Sequence, residues 1–286
     1  MGVEHKVWYL ERCLFEQFPE SNKEDWDNVG VLVGDKQDDV TGVAVALDPS
    51  CEAVDETVEH GCNVLLTHHP VLLRPSRVML DNAVRSWAPG SSASLSIEQI
   101  VENSIVRRAI VSGVSLIAMH TNFDYSENTQ HILPDALGLT LLNPVEQTDQ
   151  MGSVGEGGRS FGAAQFCSTQ PMALRDLARR CRRVFGVTPR VWGDPDKNIE
   201  FVCTCPGSGG SLVGAAARVG ADCFVCGELH YHTARAARLA GMAIIELGHD
   251  VSENMFTDEL RLVVIDLGYA PDRVVKLRTP VNWWTL

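Results

Sequence analysis

The sequence has no uninterrupted apolar run of the length a membrane span requires, about 20 residues. Its opening stretch, MGVEHKVWYLERCLFEQF, is interrupted by charge throughout and does not read as a secretory leader. A cytoplasmic protein with no membrane association is therefore expected. Basic charge is scarce. The 24 Lys and Arg stand against 37 Asp and Glu, a formal net charge of −13, and a surface of that sign repels phosphate backbones. General nucleic-acid binding is not expected. The local exception is Arg175, Arg179, Arg180, Arg182, Arg183 and Arg190, which with Asp176 nearby reads as a solvated helix face. A second CxxC is also lacking. Cys223-Phe224-Val225-Cys226 stands alone, and Cys203-Thr204-Cys205 is spaced too tightly to complete a zinc site with it. The nine cysteines are an odd, scattered set, so reduced and buried thiols are expected. The stretch Pro206 to Ser211 is neither a Walker A nor a GxGxxG motif, and Gly207-Ser208-Gly209 lacks the G-x-S-x-G elbow.

What is present is an alternation of strands and helices, the mark of an α/β class. Val7, Leu10, Leu14 and Phe18 recur at helical spacing. Val29 to Val33, Val43 to Leu47 and Val64 to Leu66 read as short strands, with a helix over Glu52 to His60 stopped by Gly61. In the second half, Phe201 to Cys205, a helix over Leu212 to Val219 and Cys223 to Cys226 repeat the order. Gly61-Cys62-Asn63 then aligns with Gly220-Ala221-Asp222, and His69 with Glu228. Leu116 to Met119 leads to His120 and Asp124, as Ala243 to Leu247 leads to His249 and Glu253. We expect two related strand–helix–strand units from an internal duplication, 1–125 and 126–286, with the C-terminal segment returning to the first half. Phe161 to Phe166 reads as a strand and Pro171 to Phe185 as a helix with Pro171 in its first turn. Residues 74–96 read as a loop or lid, and Gly152 to Gly158 as a linker.

Six of the nine histidines fall in strand-end segments, at 68, 69, 120, 230, 232 and 249. The C-terminal ends of strands are where α/β sheets bind ligands. Adjacent imidazoles at His68 and His69 suit two metal ions side by side better than one. His249 and Glu253, four apart, share a face if a helix begins there. Asp124 or Glu253 would be the bridging carboxylate. These five side chains cannot saturate two ions, so water or substrate would complete the shells. Mixed imidazole and carboxylate donors favour Zn, Mn, Fe, Co or Ni. Pro206-Gly207-Ser208-Gly209-Gly210-Ser211 reads as a turn or a phosphate cradle, and Asp48 as an Asx-type turn or a support to the site. Trp26-Asp27-Asn28 reads as a cavity wall or a turn before the next strand.

Five segments carry a resemblance: Trp26-Asp27-Asn28-Val29-Gly30, Thr67-His68-His69-Pro70, His120-Thr121-Asn122-Phe123-Asp124, Gly227-Glu228 with His230 and His232, and Gly248-His249 with Glu253. In order and kind they resemble the signature series of the Nif-three-like dinuclear metal-binding family, often called GTP cyclohydrolase I type 2 homologues. The resemblance implies a two-metal site with His68, His69, Asp124, His249 and Glu253 as ligands, and a toroidal homohexamer. One departure stands out: Tyr231 separates His230 from His232, where the family commonly has adjacent histidines.

The expected function is a metal-dependent hydrolase acting on a small phosphorylated or cyclic substrate. His120, His230 and His232 are the candidate proton shuttles. The alternative is a metal-binding, metal-delivery or scaffold protein without turnover.

Overall fold

A computed structural model describes residues 5–73, 96–145 and 162–284. The lid candidate, apart from Ser96, and the glycine-rich linker lie outside the described residues, as does Phe161. The chain forms two compact units, Met1–Phe123 with Thr257–Pro280, and Asp124–Phe256 with Val281–Leu286. Each holds one sheet, and the fold is mixed α/β.

In the first unit, strands β1 (Gly30–Val33), β2 (Val43–Ala46), β3 (Val64–Thr67), β4 (Ser115–Ala118) and β11 (Val274–Lys276) form a sheet in the order β1-β4-β3-β2-β11. β2, β3, β4 and β11 run parallel, and β1 is antiparallel at one edge. All four residues of β2, of β3 and of β4 are buried. Parallel strands covered on both faces require such continuous apolar runs, which is why VAVA and VLLT show no alternation.

Helices supply the cover. α1 (Val7–Gln17) buries Val7, Leu10 and Leu14 along one stripe. α2 (Cys51–Glu59) starts where the Ser50 side chain accepts from the Ala53 amide, and the chain leaves it through Gly61 at φ +71°. The sequence reading did not assign α3 (Ile97–Ser112). Its signals are a reciprocal capping box between Ser96 and Gln99 and a left-handed Gly113 at its end. α10 (Phe256–Asp266) leads into β11.

In the second unit, β5 (Thr140–Val145), β6 (Ala164–Ala173), β7 (Arg190–Trp192), β8 (Asn198–Ser208), β9 (Cys223–Glu228) and β10 (Ala243–Glu246) form a sheet in the order β5-β6-β8-β9-β10-β7. β8, β9 and β10 are parallel. α5 (Glu127–Ala136), α6 (Leu174–Phe185), α7 (Val213–Arg218), α8 (Tyr231–Leu239) and the short α9 (His249–Glu253) complete this unit.

One helix boundary needs correction. Pro171 does not open a helix, because the chain is still strand through Ala173, where Met172 and Ala173 pair with Ile199 and Asn198. Pro171 sits where the register shifts between Ser168 and Met172, an irregularity that tolerates a residue without an amide hydrogen. The helix starts at Leu174 and buries Leu174, Leu177 and Cys181, with its arginines on the other faces. Arg175 pairs with Asp196 and Arg179 with Asp176, as a solvated face would. No helix among the described residues is long and apolar enough to cross a membrane.

Candidate metal centre

In the first unit, the register of β3 on β4 sets Thr67 beside Ala118. The residues that follow each strand are then neighbours, so His68 and His69 meet His120. Ring centroids are 4.9 Å apart for His68 and His69, 5.1 Å for His68 and His120, and 5.6 Å for His69 and His120. One ligand atom from each of the three falls within 4.8 Å of the others. His68 is fully buried, while His69 and His120 are partly exposed.

Each ring is held by its Nδ1. His68 Nδ1 lies 3.0 Å from the Met119 carbonyl oxygen, His69 Nδ1 2.7 Å from Asp48 Oδ1, and His120 Nδ1 2.8 Å from Asp27 Oδ1. Carbonyl and ionised carboxylate oxygens only accept, so Nδ1 must carry the hydrogen. In the neutral ring this leaves Nε2 with a lone pair, the atom that can bind a metal or take a proton. Asp48 is thus the orienting partner of His69 rather than only a turn residue.

Asp27 does more than shape a wall. Its side chain is wholly buried, and its second oxygen, Oδ2, accepts from the Thr121 amide at 3.0 Å and from the Thr121 hydroxyl. Burial alone would raise its pKa. The hydrogen bond and charge of His120, with the Thr121 bonds, outweigh that and hold it at about 2. Trp26 stands edge-on to His120 with its centroid at 5.9 Å.

In the second unit, the adjacent ends of β9 and β10 carry Glu228 and His249. His249 Nδ1 lies 3.1 Å from Glu228 Oε1, so this ring too is anchored through Nδ1 to an acceptor. Its Nε2 converges with Glu253 Oε2 at 3.2 Å across one turn of α9. A proton or a metal ion can be shared between those two atoms. Gly207 makes room for them. Its φ is +61°, and a Cβ there would overlap Glu253 Oε1 and come within 3.3 Å of His249 Nε2.

The loop that read as a turn or a phosphate cradle gives two of its amides to this support. The Gly207 amide donates to Ser252 Oγ at 2.9 Å, and the Gly209 amide to the Glu228 carbonyl at 3.4 Å. Asp124 closes the short helix α4 (Thr121–Asp124), and its carbonyl accepts from Thr129 Oγ1. Asp124 and Glu253 both bear on Cys205: burial first, then these two carboxylates, push its thiol well above the usual range.

His230 and His232 lie exposed at the start of α8, with His232 edge-on to Tyr231. Neither joins a cluster of three ligand-type side chains among the described residues. All nine cysteines are free thiols, and Cys223 and Cys226 are fully buried strand residues. Burial pushes Cys167, Cys181 and Cys203 up to about 12, which keeps them protonated and poor nucleophiles.

Among the described residues, His68, His69, His120, His249 and Glu253 are groups that could hold a metal ion. They offer imidazole nitrogens fixed through their second ring atom together with a carboxylate, and no thiolate. Solved structures share the fold. A Bacillus cereus protein related to NIF3 superposes with a TM-score of 0.81 at 17% identity, covering 98% of this chain and 99% of that one. A Staphylococcus aureus hypothetical protein gives 0.79 at 23% identity, with 99% of both chains covered. Among curated relatives, the GTP cyclohydrolase 1 type 2 homolog of Streptomyces coelicolor is 30% identical over 242 residues, 82% of this chain and 77% of that protein. The protein of the same name from Clostridium acetobutylicum is 29% identical over 240 residues, 82% and 81% of the two. The model of the Duf34/NIF3 (NGG1p interacting factor 3) family matches residues 5–88 and 91–267. The histidine clusters of both units fall inside that match, and the chain belongs to the Duf34/NIF3 family.

Proposed function

We propose that this protein is a metal-dependent hydrolase that holds two divalent ions through His68, His69, Asp124, His249 and Glu253. The observation that carries the reading is the common anchoring of four strand-end imidazoles. His68, His69, His120 and His249 each have Nδ1 on an oxygen acceptor, which orients Nε2 for ligation or proton transfer. An imidazole serving only as polar filler needs no such uniform arrangement.

Bound ions would polarise a substrate oxygen and lower the pKa of coordinated water. The chain's own groups do the rest. His120 is the proton carrier, because it lies in the cluster with His68 and His69 while Asp27 holds its Nδ1–H. The Asp27 carboxylate fixes the tautomer and stabilises the imidazolium when His120 takes a proton. His230 and His232, exposed on α8, are the reserve candidates for contact with substrate. The substrate class is a small phosphorylated or cyclic molecule. Because curated relatives carry the name GTP cyclohydrolase 1 type 2 homolog, GTP belongs in the test panel. The cytoplasm and a homohexameric assembly belong to the same proposal, and light scattering after gel filtration measures the assembly.

The test is elemental analysis of protein purified without added metal, followed by assays on GTP and a panel of phosphoesters with and without chelator. Two ions per chain and turnover abolished by chelator are expected. Tight metal binding with no turnover on any substrate would favour metal delivery or a scaffold role instead. Absence of metal after reconstitution would overturn both.

A further inference from the structure

We propose that Trp283 is a positioning residue for the metal centre, clamping the turn that carries His249 and Glu253. The inference rests on the reading of those two residues as ligands.

α9 spans five residues, His249–Glu253. A helix of that length has little stability of its own, because the cost of nucleation is not recovered in a single turn. Its direction must be set by tethers from outside. One is Ser252, whose hydroxyl accepts from the Gly207 amide at 2.9 Å and donates to the His249 carbonyl at 2.8 Å. The other comes from the segment 281–284.

The Trp283 indole N–H donates to Asp250 Oδ1 at 2.9 Å. The same oxygen accepts from the Val251 amide at 3.0 Å, so Trp283 steadies a carboxylate that already ties down the first turn. The indole also closes over Gly248. A Cβ at 248 would overlap Trp283 Cζ2 and lie 3.2 Å from Cη2 and 3.3 Å from Val251 Cγ2. Gly248 has φ +104°, so the backbone conformation and the indole both require glycine immediately before His249. Trp283 keeps 41% of its surface exposed, whereas Val281 and Trp284 keep 77% and 76%. Of these three apolar side chains, Trp283 is the one seated on the protein, and its seat is the residue before a ligand and the residue after it.

Losing a group that orients a metal ligand typically weakens metal affinity by about 10- to 100-fold. The probe is Co²⁺, titrated into chelator-treated protein and followed by its visible absorption. Trp283→Ala should weaken Co²⁺ binding by about 10-fold or more, and Trp283→Phe, which keeps a ring on Gly248 but loses the N–H, by less. Asp250→Ala removes the other end of the hydrogen bond and should weaken binding like Trp283→Phe; these two variants carry the test if Trp283→Ala does not fold.

A merely structural tryptophan would lower the melting temperature of the metal-free protein and leave the Co²⁺ visible spectrum unchanged, whereas loss of the clamp in Trp283→Phe should shift that spectrum with the metal-free melting temperature close to wild type. His249→Ala separates the two readings. If it loses an ion while Trp283→Ala and Trp283→Phe bind Co²⁺ as tightly as wild type, the clamp is wrong and the metal site stands. If His249→Ala keeps both ions, the ligand reading fails and the clamp fails with it.

Discussion

The two units reach a similar end by different means. Each contains three neighbouring parallel strands, β2, β3 and β4 in one and β8, β9 and β10 in the other, with ligand-type residues just past the strand ends. In the first unit, the histidines follow the strands directly. Strand register sets their neighbours, and a backbone carbonyl or a nearby carboxylate holds each Nδ1. In the second unit, His249 and Glu253 sit on a five-residue helix, held by Ser252, Trp283 and the space left at Gly207. The first arrangement is pre-organised by the sheet. The second depends on single side chains and on the missing Cβ atoms of Gly207 and Gly248, and it should be easier to disturb by mutation away from His249 and Glu253.

The largest effects should come from the proposed ligands themselves. His68→Ala and His249→Ala should each remove at least one ion per chain, and Asp124→Asn should do so with little change in fold; elemental analysis reads all three. Unchanged stoichiometry in the two histidine variants would break the parallel between the units.

Asp27 tests the buried support of the first unit. Its carboxyl is held at about 2, below the ordinary value of about 4. A depressed folded pKa gives stability that is present above about pH 4 and lost as pH falls towards 2, roughly 2 kcal/mol in all. Asp27→Asn should flatten the acid limb of the denaturation curve in that window. It should also lower any turnover by at least about 10-fold while leaving the metal bound, since His120 loses its fixed tautomer. An acid limb identical to wild type would show that the pair does not stabilise the fold.

Glycines sharpen the comparison further. Gly61 and Gly207 have similar φ, +71° and +61°, but a Cβ at 61 meets nothing within 4 Å while one at 207 runs into Glu253. Gly61→Ala should cost roughly 1–2 kcal/mol from backbone strain alone. Gly207→Ala should cost more in the melting curve and also weaken metal binding; equal effects would mean that Glu253 has room to move. The smallest effect belongs to the arginine face of α6. Arg179→Ala should change stability by less than about 0.5 kcal/mol, because its exposed ion pair with Asp176 contributes little.

Most strands were legible in the sequence because parallel strands buried on both faces leave continuous apolar runs, such as VAVA and VLLT. The clustering of histidines past those runs marked the candidate site, because neighbouring parallel strands end side by side. Ser96, Gln99 and Gly113 mark the ends of α3, but it buries only Ile105, Val106 and Ala109, too few for a clear apolar stripe. Pro171 misled because local preference placed it in a first turn, while pairing across the sheet kept it in strand. By itself, the amino-acid order determined the α/β class, the strand-end placement of the donors and the family. It could not show which acceptor each imidazole would take. Asp27 lies far along the chain from His120, as Glu228 does from His249 and Trp283 from Asp250. Such pairings are chosen by tertiary packing, because a donor bonds whichever acceptor the fold brings within reach.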